Sequence, residues 1–102
     1  MRTLYHATRP ENAPSIWSRG LLPSADGYVY LAENIDDAVK FKSLVLSEMY
    51  IFPVKIAKKD EANLDETFDH SRSIFRCRSF GFLGTITPDK LGNPIYWKLN
   101  SE

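Results

Sequence analysis

Two short stretches of this 102-residue chain decide its fold: Leu4-Tyr5-His6-Ala7-Thr8 and Gly27-Tyr28-Val29-Tyr30-Leu31-Ala32. Each combines β-branched or aromatic residues with apolar ones, a composition that favours a β-strand. Each also delivers a polar ring into an apolar setting, His6 in the first stretch and Tyr30 in the second. We therefore expect two strands whose two rings line a common crevice.

The segments that follow each strand predict helices. Residues 12–22 form a short helix in this interpretation, with Pro14 close to its start and Gly20 as its C-cap. Asn34 is a good N-cap, and apolar residues after it recur at the three-and-four spacing of an amphipathic helix. This second helix is predicted to run to about residue 49.

The second half of the chain predicts mainly strands. Residues 50–57 alternate like a strand, in which Pro53 indicates an edge position or a bulge. Residues 58–72 are polar and predict a long loop, and long loops in small domains are often functional. The remaining elements are a strand over 79–86, a helical turn over 87–91 and a final strand over 95–99.

Helices come early in this order and strands come late. We therefore expect a single α+β domain over residues 1–102. Its sheet is expected to be split or strongly bent, with two helices packed near the N-terminal half.

Composition excludes several classes of function. Thirteen basic and thirteen acidic side chains cancel, so the net charge indicates neither nucleic acid nor an anionic membrane as partner. Cys77 stands alone, no apolar run approaches a membrane span, and the first residues lack a signal peptide, so we expect a cytoplasmic protein. Two histidines and one cysteine are too few for a zinc site, and no glycine-rich phosphate loop is present.

Each polar ring also has an ordinary structural interpretation when taken alone. A single histidine near a strand end is more often a hydrogen-bonded core residue than a catalytic one. Tyr28 and Tyr30 share one face of their strand, and paired tyrosines usually pack and keep a polar tip.

The order of the motifs is more specific than any one of them. Tyr5-His6-Ala7-Thr8 is followed by a helix that ends Gly20-Leu21-Leu22, then by Val29-Tyr30-Leu31-Ala32 and a helix that opens Asp36-Asp37-Ala38. This order resembles the ADP-ribosyltransferase superfamily, above all its small bacterial and phage members. The rifampin ADP-ribosyltransferases carry Tyr-His-Gly-Thr and Val-Tyr-Phe-Thr strands, and the tRNA 2′-phosphotransferases and DNA-modifying toxins share the helix that ends in Gly-Leu. The late segment 84–91 is similar to the Ile-x-Pro segment of many members.

The resemblance implies an ADP-ribosyltransferase-like fold that binds NAD, as co-substrate, in a cleft between two small sheets. It implies that His6 binds ribose hydroxyls, that the Ala7 backbone contacts the nicotinamide amide, and that Tyr30 stacks on the nicotinamide ring. Members commonly have Gly at the position of Ala7 and Ser or Thr at that of Ala32. The whole expected NAD-binding set is His6, Ala7, Thr8, Tyr28, Tyr30 and Ala32.

The resemblance also implies a carboxylate near the anomeric carbon, where it stabilises an oxocarbenium-like transition state. The late strand around 78–82 carries none. We favour Asp69 as the catalytic carboxylate, with His70 shuttling a proton, and Asp65 and Glu66 are the alternatives. The competing interpretation of this segment is a solvated loop with an Asx or Ser turn.

Three functions follow as expectations. The first is an NAD-dependent ADP-ribosyltransferase that releases nicotinamide and modifies an unidentified macromolecular or small-molecule acceptor. The second is a module on the same fold that binds an NAD-derived nucleotide or a protein without catalysis. The third is RNA 2′-phosphate transfer, although the phosphotransferases place His where this chain has Tyr30.

Overall fold

One antiparallel sheet forms the frame of the fold. The computed structural model describes residues 2–43, 46–67 and 79–99. Its strands are β1 (Arg2–Thr8), β2 (Tyr28–Ala32), β3 (Glu48–Ile56), β4 (Leu64–Thr67), β5 (Ser79–Leu83) and β6 (Ile95–Lys98). Their order across the sheet is β4-β5-β2-β1-β3-β6. Together with a few short helices they form a small α+β domain, as the element order predicts.

The two α-helices follow β1 and β2. Helix α1 (Ala13–Arg19) ends at Gly20, as predicted, and α2 (Ile35–Lys42) begins after Asn34. The Asn34 side chain accepts a hydrogen bond from the Asp37 amide at 2.9 Å, which confirms the predicted N-cap. Single 3-10 segments lie at Pro10–Asn12, Lys58–Asn63 and Pro88–Lys90.

Each face of the sheet buries its own apolar cluster. The first cluster lies on the face that packs against Ala13 and Ile16 of α1, and it consists of Leu4, Leu21, Val29, Leu31, Phe52, Val54, Ile56, Phe80, Phe82, Ile86 and Leu91. The second lies on the face covered by α2, and it consists of Ala7, Ala32, Ala38, Met49 and Ile51. Successive side chains of a strand point to opposite faces, which is why Leu4 and Ala7 fall in different clusters.

Strand β1 pairs very differently with its two neighbours. It is aligned with β3 along its whole length, from Arg2 opposite Ile56 to Thr8 opposite Tyr50. With β2, the aligned pair is Tyr5 and Ala32. The contact between β1 and β2 is therefore short, and the strands have no further aligned pair beyond it.

Helix α2 is shorter than predicted. The periodicity predicts a helix to about residue 49, but α2 ends at Lys42 and β3 begins at Glu48. Met49 and Ile51 are fully buried side chains of that strand. Apolar residues at this spacing fit a helix or a strand. Here the segment forms a strand because it pairs with β1 and β6.

The predicted loop over residues 58–72 is wrong in its first part. Lys58–Asn63 is a 3-10 segment, and β4 covers Leu64–Thr67 at the edge of the sheet beside β5. Acidic residues disfavour strands in general, but charged side chains are typical of edge strands. Leu64 packs against the first cluster and supplies the apolar contact that this strand needs.

The prediction for Pro53 also needs correction, because β3 lies between β1 and β6 rather than at an edge. Pairing with β6 covers Glu48 to Ile51 and stops before Pro53. The Pro53 carbonyl accepts a hydrogen bond from the Gly92 amide at 2.7 Å, on the side away from β1. Because the nitrogen and the carbonyl of one strand residue point to the same side, the missing N–H removes no bond to β1.

Candidate functional site

His6 joins β1 to β2 at the point where their pairing stops. Its Nδ1 lies 2.9 Å from the carbonyl oxygen of Tyr30. In a regular antiparallel ladder that continued from Tyr5 and Ala32, Tyr30 would be opposite Ala7 and the backbone would supply this bond. The imidazole takes the place of the next interstrand hydrogen bond.

This bond defines the chemical state of the imidazole. A carbonyl oxygen only accepts, so Nδ1 carries the proton and donates it. Burial lowers the pKa of His6, the Tyr30 carbonyl opposes that change, and the positive charge of Lys42 lowers the pKa further. The ring is therefore neutral at pH 7, and its Nε2 is a hydrogen-bond acceptor.

A cavity of about 280 Å³ opens beside His6. It lies between the end of β1, the 3-10 segment that follows, and the last turn of α2. Its lining is mainly polar and consists of His6, Ala7, Thr8, Arg9, Asn12, Lys42 and Leu46. Three of the residues expected to bind NAD, His6, Ala7 and Thr8, are therefore brought together in one cavity.

The ring of Tyr30 does not line this cavity, so the structure links His6 and Tyr30 through the carbonyl rather than through a shared lining. Ala7 lines the cavity and belongs, with Ala32, to the cluster under α2. Tyr30 precedes Ala32 by two residues and so points to the same face. His6 is opposite Phe52 of the first cluster, so the expected common crevice is not formed: the imidazole points to the face of the first cluster and the Tyr30 ring to the face of the second.

Tyr28 and Tyr30 lie side by side on that face, with ring centroids 6.5 Å apart. Each hydroxyl donates to a carboxylate. The Tyr30 hydroxyl bonds Asp26, which lowers the pKa of that carboxyl, and the Tyr28 hydroxyl bonds Asp65 at 3.3 Å. The negative charge of Asp65 raises the pKa of Tyr28. Two phenol rings and two carboxylates form a surface that we call the tyrosine patch.

Asp65 reaches the tyrosine patch because of how three strands are aligned. Asp65 of β4 is opposite Gly81 of β5, and Gly81 is opposite Tyr30 of β2. Aligned residues of neighbouring strands point to the same face. Because Gly81 has no side chain, the space between the Asp65 carboxylate and the Tyr30 ring holds no side chain from β5.

The other expected catalytic residues are placed less fully. Asp69 and His70 lie outside the described residues. Glu66 lies in β4, where its backbone is opposite Phe80. Of the carboxylates considered from sequence, Asp65 is the one whose side chain the structure describes at the tyrosine patch.

Sequence reasoning missed four residues of this region. Arg9 and Asn12 follow the first motif directly, and their position at a strand end was a usable signal. Asp26 stands in a turn just before β2, where its carboxylate also accepts from the Tyr28 amide at 3.0 Å. Lys42 had no such signal, because only the packing of α2 against β1 brings it to His6.

A second cavity, of about 390 Å³, lies beyond the 3-10 segment and is mainly apolar. Its lining consists of Pro10, Ala13, Pro14, Trp17, Tyr50 and Pro94. The segment between β1 and α1 therefore separates a polar cavity from an apolar one.

No family model matches the sequence of this chain, and no curated protein matches it. No helix within residues 2–43, 46–67 and 79–99 has the length and apolar character needed to cross a membrane. In the same ranges, no three side chains of His, Cys, Asp or Glu gather in a way that could hold a metal ion.

Proposed function

We propose that this chain binds NAD and transfers its ADP-ribose to an acceptor, with release of nicotinamide. The observation that carries the proposal is His6, whose Nδ1 is fixed by the Tyr30 carbonyl while its ring lines a polar cavity. Its neutral ring offers Nε2 as an acceptor for a ribose hydroxyl. The resemblance of the motifs to ADP-ribosyltransferases is the reason for choosing NAD as the ligand of this cavity.

The tyrosine patch supports the proposal by its charge. The nicotinamide ring of NAD is a pyridinium cation, and aromatic faces attract cations. Tyr30 is 41% exposed. The carboxylates of Asp26 and Asp65, each bonded to a tyrosine of the patch, add negative charge on the same side. This surface suits a flat cation.

The proposed reaction is a displacement at the anomeric carbon of the nicotinamide ribose. The bond to the pyridinium nitrogen breaks, its electron pair leaves with nicotinamide, and the acceptor bonds the carbon and gives up a proton. A carboxylate stabilises the positive charge that develops on the ribose. We assign this role to Asp65 among the described side chains, while Asp69, with His70 as proton carrier, remains the prediction from sequence. His6 positions the ribose.

Binding without catalysis is the second candidate. The observation that favours it is β5, which carries no carboxylate over Ser79–Leu83 although family members often have one there. The alanines at positions 7 and 32, where many members have Gly and Ser or Thr, point the same way. RNA 2′-phosphate transfer has no observation here that favours it over these two.

Calorimetric titration with NAD, combined with an assay for free nicotinamide, tests the proposal. Wild-type protein should bind NAD, and both His6→Ala and Tyr30→Ala should weaken binding. Tyr96→Phe is the matched control, because Tyr96 lies on β6 at the other edge of the sheet. Nicotinamide above the blank rate supports transfer, whereas NAD-dependent stabilisation without turnover supports the binding module. If His6→Ala and Tyr30→Ala bound NAD as tightly as the wild-type protein, NAD would not bind at these two residues.

A further inference from the structure

Two cationic side chains line the cavity beside His6 and have no role in the proposed transfer reaction. Arg9 follows β1 directly, and Lys42 ends α2. Both line the cavity, and both are exposed at its rim. Within the described residues, the ion pairs that form join Arg2 to Glu61 and Lys90 to Asp60. Arg9 and Lys42 have no carboxylate partner in that part of the chain.

Lys42 belongs to the lining of the cavity although its side chain is exposed. Lys42 lines the same cavity as His6, and its positive charge is one of the causes that lower the pKa of the imidazole. Asn12 and Thr8 add uncharged hydrogen-bonding groups to the same lining. Two cations without a carboxylate partner among the described residues, together with two neutral polar side chains, surround one cavity and suit an anion.

We propose that Arg9 and Lys42 bind the diphosphate of the nucleotide whose ribose His6 holds. This inference rests on the proposed function for the identity of the nucleotide, NAD. A guanidinium donates two parallel hydrogen bonds to phosphate oxygens, and an ammonium group adds a point charge. The cavity, at about 280 Å³, is near the lower end of the ~300–1,000 Å³ typical of ligand pockets. It suits part of a dinucleotide, with the nicotinamide end of NAD lying outside the cavity.

The proposal also explains how a chain of zero net charge attracts a dianionic diphosphate. Opposite charges are segregated in the described part of the chain: Arg9 and Lys42 line the cavity, whereas Asp26 and Asp65 lie at the tyrosine patch. NAD has the same segregation, with a negative diphosphate and a positive pyridinium. Complementary potentials of this kind contribute to specificity and to the rate of association.

Calorimetry with four probes tests the inference on the intact chain: NAD, ADP-ribose, inorganic pyrophosphate and nicotinamide riboside, which has no phosphate. The variants are Arg9→Ala and Lys42→Ala. Their matched controls are Arg19→Ala in the last turn of α1 and Lys40→Ala one half-turn before Lys42, since neither lines the cavity. All four residues are exposed, so thermal unfolding should change little in each variant.

Arg9→Ala and Lys42→Ala should each weaken NAD and ADP-ribose about tenfold and leave nicotinamide riboside unchanged. The salt dependence of NAD binding should also become shallower in both, because fewer cations meet the diphosphate. Full-strength NAD binding in both variants would overturn the inference and leave the proposed function standing. If wild-type protein does not bind NAD but binds pyrophosphate, and both variants lose that binding, the result supports the anion site and contradicts the proposed function. Binding of none of the four probes would overturn both.

Discussion

The Nδ1 atom of His6 and the carbonyl oxygen of Tyr30 lie 2.9 Å apart, across the gap where β1 and β2 cease to pair. One side chain thereby links the two strands that carry the most specific sequence motifs. Its hydrogen bond fixes the tautomer and so fixes which nitrogen is left to accept from a ligand. Structural and functional interpretations of this histidine are therefore compatible, because the same bond serves both.

Replacement of His6 should separate these two roles. His6→Ala removes the donor to the Tyr30 carbonyl and should lower the free energy of unfolding by about 1–2 kcal/mol. It should also abolish the stabilisation that NAD provides. His6→Gln keeps an amide donor and an acceptor on a long side chain, so it should recover part of both effects. Thermal unfolding with and without NAD measures both, and equal NAD-dependent shifts in all three proteins would contradict the ribose role.

The pH dependence of stability should carry the signature of His6. Burial lowers the folded-state pKa of the ring below its ordinary value of 6.5, so below that pH the unfolded chain binds the proton more readily. The stability contributed by the neutral ring is complete above pH 6.5 and is lost as the pH falls below it. Urea unfolding at pH 7.5 to 5 should show this loss in wild-type protein and a flatter profile in His6→Gln. If the stability of the two proteins fell in parallel with pH, the loss would not come from His6.

Gly20 should be irreplaceable for two reasons that a matched glycine can separate. Its φ of +86° disfavours any L side chain, and a Cβ there would lie 2.2 Å from the Ile86 carbonyl oxygen. Gly84 has a φ of +99° but open space around its Cβ position. Gly84→Ala should cost only backbone strain, about 1–3 kcal/mol, whereas Gly20→Ala should cost about 1–3 kcal/mol more. Similar losses in chemical denaturation would show that the close approach to Ile86 is unimportant.

The same residue shows what the sequence could predict. Gly20 was recognisable as a helix cap because few residues tolerate that conformation, and the stretch predicted as the second strand, 27–32, contains β2, Tyr28–Ala32. Such features depend on local conformational preference and on alternation. They need no knowledge of distant partners.

Other features of the site depend on distant partners and could not be predicted. The Leu64–Thr67 segment has the composition of a loop and becomes a strand only because β5 pairs with it. Lys42 enters the cavity through the packing of α2 on β1, and Asp65 meets Tyr28 across β5. Residue types alone identified the candidate carboxylates, while strand alignment decided which of the described ones reaches the tyrosines.

Asp65→Asn should change both the tyrosine patch and the proposed reaction. The Asp65 charge raises the pKa of Tyr28, so its removal should return that pKa towards the ordinary value of 10.0. Absorbance titration of the phenolates measures this, with Tyr28→Phe identifying the transition that belongs to Tyr28. If Asp65 stabilises the developing positive charge, Asp65→Asn should also slow nicotinamide release about 100-fold while changing the Kd of NAD little. Asp69→Asn is the matched comparison, because it removes the other candidate carboxylate. A shifted Tyr28 pKa with unchanged nicotinamide release would leave Asp65 as a structural partner of Tyr28 and would assign the catalytic role elsewhere.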